Sequence, residues 1–201
     1  MLSWLAALIV WLTCSVALAQ PSVRDLAVEI QANRVRFDTL NGNGSSSGSA
    51  IVGELVNLTS GSLRIEVHLG QPLFLENQGA RQNMVVSAIY LDGGRYQREG
   101  SRAFVPIKPR SKVRVTLIAY CADFDKTNPR SDESFSVGPL PEKLRAVIQR
   151  IQAHARANPN EDITAGAQAA VWLAQDVSMR TIRTRFAVSQ AEEQLARSFL
   201  R

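Results

Sequence analysis

The chain has 201 residues, 45% of them hydrophobic and 20% charged, with a formal net charge of +5. That length supports one domain, or one domain with an appendage, and a core large enough to fold without disulfide or metal. The apolar fraction excludes wholesale disorder, and the modest, dispersed positive charge excludes a nucleic-acid footprint while favouring anionic surfaces such as cell-envelope polymers.

Residues 1–19, MLSWLAALIVWLTCSVALA, carry no charged side chain. A transmembrane helix needs about 20 apolar residues, more than this run comfortably supplies. Ala17-Leu18-Ala19 is a small-x-small site of the signal-peptidase type. These features predict a signal peptide over 1–19 cleaved after Ala19, and a secreted or periplasmic chain with no stable membrane span. The alternatives are an uncleaved anchor, or lipidation at Cys14, which the bulky Trp11-Leu12-Thr13 disfavours. Cleavage leaves Cys121 as the single cysteine and rules out an internal disulfide. Its thiol is then buried and inert, reactive, or paired between molecules.

Residues 23–37 are ambiguous, although Leu26, Val28 and Ile30 alternate as a strand does. The tract 41–49, NGNGSSSGS, predicts a solvated loop or hairpin tip. No Lys-Ser/Thr pair follows it, so it is no phosphate cradle. Residues 50–58 and 63–69 read as two strands joined by Thr59-Ser60-Gly61-Ser62, a β-hairpin with Leu63, Ile65, Val67 and Leu69 on one face. Residues 73–75 and 83–91 supply further strand, with a turn at Asp92-Gly93-Gly94. Pro106 and Pro109 bracket a loop or edge, and 112–120 is another strand. Short strands separated by turn signals predict an antiparallel, immunoglobulin-like β-sandwich over 20–121.

Residues 122–139 are polar and predict an irregular connection. From Leu140 the period becomes 3.6: Leu140, Leu144, Val147, Ile148 and Ile151 form a stripe that docks a helix on the sandwich, in preference to a basic membrane-binding helix. Pro141 suits its first turn, and Asn158-Pro159-Asn160 ends it. A second helix starts near Asp162 or Thr164, and Ser189 with Glu192 forms a capping-box pattern opening another. The fold class is thus α+β, an N-terminal sandwich followed by a C-terminal layer of three or four helices over 140–201.

Chemistry-bearing groups are sparse. His68 and His154 fall on polar faces, and no His/Cys spacing fits zinc. Asp123, Asp125, Asp132 and Glu133 supply oxygen ligands in principle, but lack the pattern of a calcium loop and read better as a solvated acidic segment. No nucleophile-elbow motif and no cofactor motif is present. Asn57-Leu58-Thr59 matches a glycosylation acceptor. The sharpest pairing is Cys121 with Gln168. Strand phase puts Val113, Val115, Leu117, Ala119 and Cys121 on one apolar face. Gln168 shares a helix face with Val171, Trp172 and Gln175. A buried amide left unpaired costs about 1–3 kcal/mol, so Gln168 needs a partner.

Tyr120-Cys121 at a strand end and Gln168-Ala169-Ala170-Val171-Trp172 on a helix resemble the two halves of the bacterial surface thioester domains, which pair a Tyr-Cys motif with a Gln-x-x-apolar motif. That resemblance implies that the Cys121 sulfur displaces ammonia from the Gln168 amide, with Tyr120 and Trp172 in support, and that the thioester acylates a neighbouring surface. More broadly, residues 50–176, with Leu69-Gly70-Gln71-Pro72-Leu73-Phe74, Gln82-Asn83-Met84-Val85-Val86 and Asn128-Pro129, are similar to an uncharacterised group of exported bacterial β-sandwich proteins. Three functions follow as expectations. The first is an envelope or surface interaction module without catalytic activity, whose partner is a protein or a cell-envelope polymer. The second is a self-acylating domain, and the third a thiol-dependent enzyme.

Overall fold

The computed structural model describes residues 22–201; the expected signal segment, Cys14 and the cleavage position after Ala19 lie outside the described residues. In chain order the elements are β1 (Val23–Arg24), α1 (Leu26–Gln31), β2 (Val35–Gly42), β3 (Ser47–Asn57), β4 (Leu63–Glu66), β5 (His68–Asn77), β6 (Met84–Leu91), β7 (Gln97–Glu99), β8 (Arg102–Ile107), β9 (Lys112–Cys121), β10 (Phe135–Gly138), α2 (Glu142–Ala157), α3 (Thr164–Leu173), α4 (Met179–Ile182) and α5 (Gln190–Ser198). The class is α+β. The strands form two sheets in a sandwich-like arrangement, ordered β1-β4-β8-β7 and β10-β5-β6-β9-β3-β2. Pairing is antiparallel except for the two-residue parallel contact of β1 with β4.

The expected 50–58/63–69 hairpin does not form. β3 lies between β9 and β2, whereas β4 lies between β1 and β8 in the other sheet. The fully buried Asn57 is the reason. Its Nδ2 donates to the carbonyls of Gly61 at 2.8 Å and Lys108 at 3.1 Å, and its Oδ1 accepts from the Thr59 N–H at 2.8 Å. The turn is thereby tied to the end of β8 instead of folding β4 back onto β3. The same bonds occupy the nitrogen that a glycan would need, so the Asn57-Leu58-Thr59 pattern offers no acceptor in the folded chain. One residue later than β4 the chain changes sheet again: the Val67 N–H donates to Ala103 O in β8, and Val67 O accepts from the Ile89 N–H in β6. A single residue thus forms the corner between the sheets.

Three further segments differ from the sequence reading. Leu26, Val28 and Ile30 belong to a helix. Asp25 caps it, Oδ1 accepting from the Ala27 and Val28 N–H groups, while Oδ2 accepts from Gln71 N–H and pins the helix to β5. Leu26 and Ala27 are buried and Val28 is exposed, as a helical turn requires and a strand does not. Pro106 lies inside β8 opposite Arg64. Its missing N–H is tolerated because β7 reaches only as far as Phe104 along that flank. Within the segment expected to be irregular, Phe135–Gly138 adds β10 to the free edge of β5.

The helices follow the sequence more closely. Leu144, Val147, Ile148 and Ile151 are buried on α2, although Pro141 occupies the N-cap and Leu140 is only half-buried. The capping box is present: Ser189 Oγ accepts from the Glu192 N–H, and the Glu192 carboxylate accepts from the Ser189 N–H. α2 packs on β5 and β6, α3 packs on β9 and β3, and α4 and α5 pack against α3. Gly166 lets α5 approach, since a Cβ there would lie 2.9 Å from Leu195 Cδ2. Among the described residues no helix is long and apolar enough to cross a membrane.

Asn57→Ala removes the fully buried carboxamide that donates to Gly61 O and Lys108 O and accepts from the Thr59 N–H. The expected loss is about 2–4 kcal/mol of unfolding free energy in urea at an unchanged m-value; a loss within experimental error would show that the corner does not depend on this side chain.

Candidate functional site

Cys121 is the last residue of β9 and is fully buried. Met84 is its cross-strand partner, and Cys121 Sγ lies 3.7 Å from Met84 Sδ. Gln168, on α3, is also fully buried. The two residues meet as the sequence suggested, but through the backbone of the cysteine. Gln168 Oε1 accepts from the Cys121 N–H at 2.8 Å, and Gln168 Nε2 donates to Cys121 O at 2.9 Å. The carboxamide therefore pairs with β9 as a neighbouring strand would. The Cys121 N–H also points at Ser46 O, 3.1 Å away. Gln175, on the same face in the turn that follows α3, donates from Nε2 to Ala122 O at 2.6 Å. Two glutamines thus take the consecutive carbonyls at which β9 leaves the sheet.

The thiol sits in an apolar setting. Burial, with the Asp123 charge adding to it, pushes the Cys121 thiol up from an ordinary 9.0 to about 12. Burial likewise pushes the Tyr120 phenol up to about 12. Neither group carries the negative charge of an activated nucleophile at neutral pH. Trp172 is buried in an aromatic cluster, edge-on to Phe124 at 5.1 Å and to Phe186 at 5.4 Å between centroids. That cluster joins α3 to the segment after β9.

The four acidic residues do not converge. Asp123 Oδ2 accepts from the Asn83 N–H and pairs with Lys126 Nζ at 3.1 Å. Glu133 pairs with Arg81 at 2.8 Å and accepts from Asn77 Nδ2 and the Arg130 N–H. Asp125 and Asp132 are exposed. Among the described residues no group of three His, Cys, Asp or Glu side chains is placed to hold a metal ion. His154 turns its ring edge to Phe199 and bonds Glu161 Oε2 at 2.8 Å.

A second site has no counterpart in the sequence reading. All three tyrosines of the chain, Tyr90, Tyr96 and Tyr120, line one cavity of about 230 Å³ with His68, Ser87 and Arg98. Its far wall is the α2–α3 connection, including Asn158, Pro159, Glu161 and Asp162, and Thr164 at the start of α3. A neighbouring cavity of about 490 Å³ shares His68 and Arg98 and adds Glu66, Arg102 and Arg156. Tyr90 and Tyr96 are tilted rings with centroids 5.7 Å apart, and the Arg98 guanidinium lies 5.8 Å from the Tyr96 centroid. Burial, reinforced by Arg156 and Arg98, pushes the His68 imidazole below its ordinary value. Glu66 is raised by burial, against the pull of Arg156 and Arg102. A larger cleft of about 940 Å³ opens between Phe104 and Ile107 on one sheet and Leu91 and Val113 on the other. Of its cations, Arg64 is held by Glu99 and by the Phe104 ring and Lys112 by Glu54 at 2.7 Å, and Arg98 and Lys108 also line it. The tyrosine-lined cavity also carries the carboxylates of Glu161 and Asp162, and in the neighbouring cavity none of Arg98, Arg102 and Arg156 makes an ion pair among the described residues.

Gln168→Leu keeps the bulk and removes both side-chain hydrogen bonds to the Cys121 backbone, leaving the N–H to Ser46 O alone; the expected cost is about 2–4 kcal/mol in urea unfolding, and an unchanged stability would reject the carboxamide as a structural partner of β9. The buried thiol and phenol give a second test. Both are raised in the folded chain, so their contribution is complete below the ordinary values of 9.0 and 10.0 and is lost as pH rises towards about 12. Stability therefore falls over that alkaline window, and in Cys121→Ala the fall is smaller by an amount on the order of a few kcal/mol, each variant being referred to its own value at neutral pH. Comparison of the chain with protein-family models, with curated proteins and with solved structures returned no match.

Proposed function

We propose that this chain is an exported module of the cell envelope or cell surface that works by binding, with an immunoglobulin-like sandwich carrying a C-terminal helical layer. The observation that carries the reading is the pair of adjoining cavities, one lined by Tyr90, Tyr96, Tyr120, His68 and Arg98 and the next by His68, Arg98 and Arg102, across both sheets and the α2–α3 connection. Concave, partly aromatic sites with a few convergent polar groups are the usual form of a ligand site. The uncharged N-terminal run with its small-x-small end supports export, and the net charge of +5 supports an anionic envelope polymer as partner.

The self-acylating alternative draws on the contact of Cys121 with Gln168. It requires the thiol to turn from Met84 and Gln168 to release two hydrogen bonds before sulfur replaces the amide nitrogen as ammonia. A thiol-dependent enzyme requires a thiolate where burial holds the thiol at about 12. The geometry supports binding over both.

Two measurements test the proposal. Intact mass of the chain exported from a bacterial host is expected to show loss of residues 1–19, with the mass undiminished by one ammonia and Cys121 unlabelled by alkylating reagent until the chain is unfolded. A mass short by one ammonia would establish the thioester instead; rapid native labelling would favour the thiol enzyme. Co-sedimentation with purified insoluble anionic envelope polymer is expected and should weaken as salt is raised. No sedimentation with any envelope fraction would overturn the binding reading.

A further inference from the structure

We infer that the ligand of the paired cavities is an acidic saccharide, a sugar bearing a carboxylate or phosphate, with its ring against Tyr90 and Tyr96 and its anionic group towards Arg102 and Arg156. The inference rests on the binding reading above and names its ligand class.

The two cavities divide the chemistry between them. The smaller one carries the tyrosines, the Ser87 hydroxyl and the His68 ring, with the Glu161 and Asp162 carboxylates available to accept from sugar hydroxyls, so the anionic group belongs in the larger one. Tyrosine rings offer flat apolar faces with a polar tip, suited to a scaffold with one apolar face and a hydroxylated rim. Serine and tyrosine hydroxyls both donate and accept, which matches the hydroxyls of a sugar. The larger cavity carries Arg98, Arg102 and Arg156 against the single carboxylate of Glu66. A guanidinium presents planar paired donors that fit a carboxylate or phosphate. His68 and Arg98 line both cavities, so a ligand longer than one ring reaches from the aromatic part into the basic part.

The surroundings narrow the choice. A wholly apolar ligand would bring no anion to the three guanidiniums, of which Arg156 donates to His68 O at 3.5 Å, Arg98 to the Tyr96 hydroxyl at 3.4 Å, and none to a carboxylate. A bare anion would leave the aromatic cavity empty. An acidic peptide meets the arginines but gives the tyrosine rings no matching flat hydroxylated face. The three arginines are exposed, so their positive charge acts at the mouth, and the half-buried His68 lies further in. Charge therefore attracts the ligand first, and the ring contacts then discriminate.

The test is a calorimetric titration of the purified chain with a galacturonate oligosaccharide, a glucose phosphate, maltose, inorganic phosphate and a short polyglutamate peptide. At least one of the two acidic saccharides is expected to bind saturably, at least about tenfold tighter than maltose, phosphate or polyglutamate, a gap of roughly 1.4 kcal/mol. Which of the two binds tells whether a carboxylate or a phosphate is recognised. Arg102→Ala with Arg156→Ala, and separately Tyr96→Ala, are each expected to weaken that binding about tenfold or more. All three side chains are exposed, so the melting temperature should stay near that of the parent. No saturable binding of either acidic saccharide, maltose bound equally well, polyglutamate bound more tightly, or full affinity kept in both variants would each overturn the inference. If envelope polymer still sediments with the chain while these ligands fail, the ligand class is wrong and the binding reading stands; if neither binds, both fail.

Discussion

The end of β9 poses the constraint on which the arrangement of helices turns. β9 runs through the middle of the six-stranded sheet, paired with β6 on one side and β3 on the other. Where it leaves the sheet, the N–H and C=O of Cys121 and the C=O of Ala122 are buried polar groups that need partners. Gln168 and Gln175 supply them from one side of a helix and the turn that follows it. Gln152 on α2 makes the same kind of bond, its Nε2 donating to Ser87 O where the register of β6 shifts. A carboxamide suits such seams because it donates and accepts without carrying charge, so its burial costs far less than that of an ion. Apolar stripes hold the helices against the strands; the glutamines fix their register along them.

The sequence patterns that proved legible were those in which one local interaction decides the outcome. The α2 stripe buries the residues its period selects, and the Ser189–Glu192 box closes as its spacing implies. The β3–β4 pairing was not legible for the opposite reason. Leu63, Ile65, Val67 and Leu69 are all buried, so the alternation runs unbroken through the point at which the chain changes sheet. Period-two patterning states which face is buried and says nothing about which sheet buries it. The signal that could have separated the two was Asn57, an amide at a strand end whose burial calls for several acceptors at once. α1 fails as a periodic signal because it is only six residues long; Asp25 is the one local mark of its start.

The candidate residues show the same division. An amide on an apolar helix face signalled that Gln168 had a buried partner, and the strand phase placed Cys121 near it. Side-chain chemistry then suggested sulfur as that partner, whereas the backbone of the same residue takes the amide. Main-chain groups carry no sequence signature, so a pairing with them is invisible until the strand end is seen. The tyrosine-lined cavity was hidden differently. Its residues come from β5, β6, the β6–β7 turn, β7, β8, β9, the end of α2, the α2–α3 connection and the start of α3, at no fixed spacing. The only trace in the sequence is compositional: a chain poor in aromatics places every tyrosine in one cavity.

The two sites are connected through β9. Consecutive strand residues point to opposite faces, so Cys121 and Tyr120 separate two environments. Cys121, opposite Met84, faces the interior, while Tyr120, opposite Val85, lines the cavity. Gln168 holds the main chain of Cys121 and thereby the position from which Tyr120 enters the cavity wall. Thr164, at the start of the helix that carries Gln168, lines the same cavity. A shift of α3 along β9 would move both walls together and would break two buried hydrogen bonds in doing so. The amide–backbone pairing thus does more than finish a strand: it ties the helix that starts at Thr164 to the strand that carries Tyr120, the most deeply buried tyrosine of the cavity, whereas Tyr96 and the arginines at the mouth are exposed.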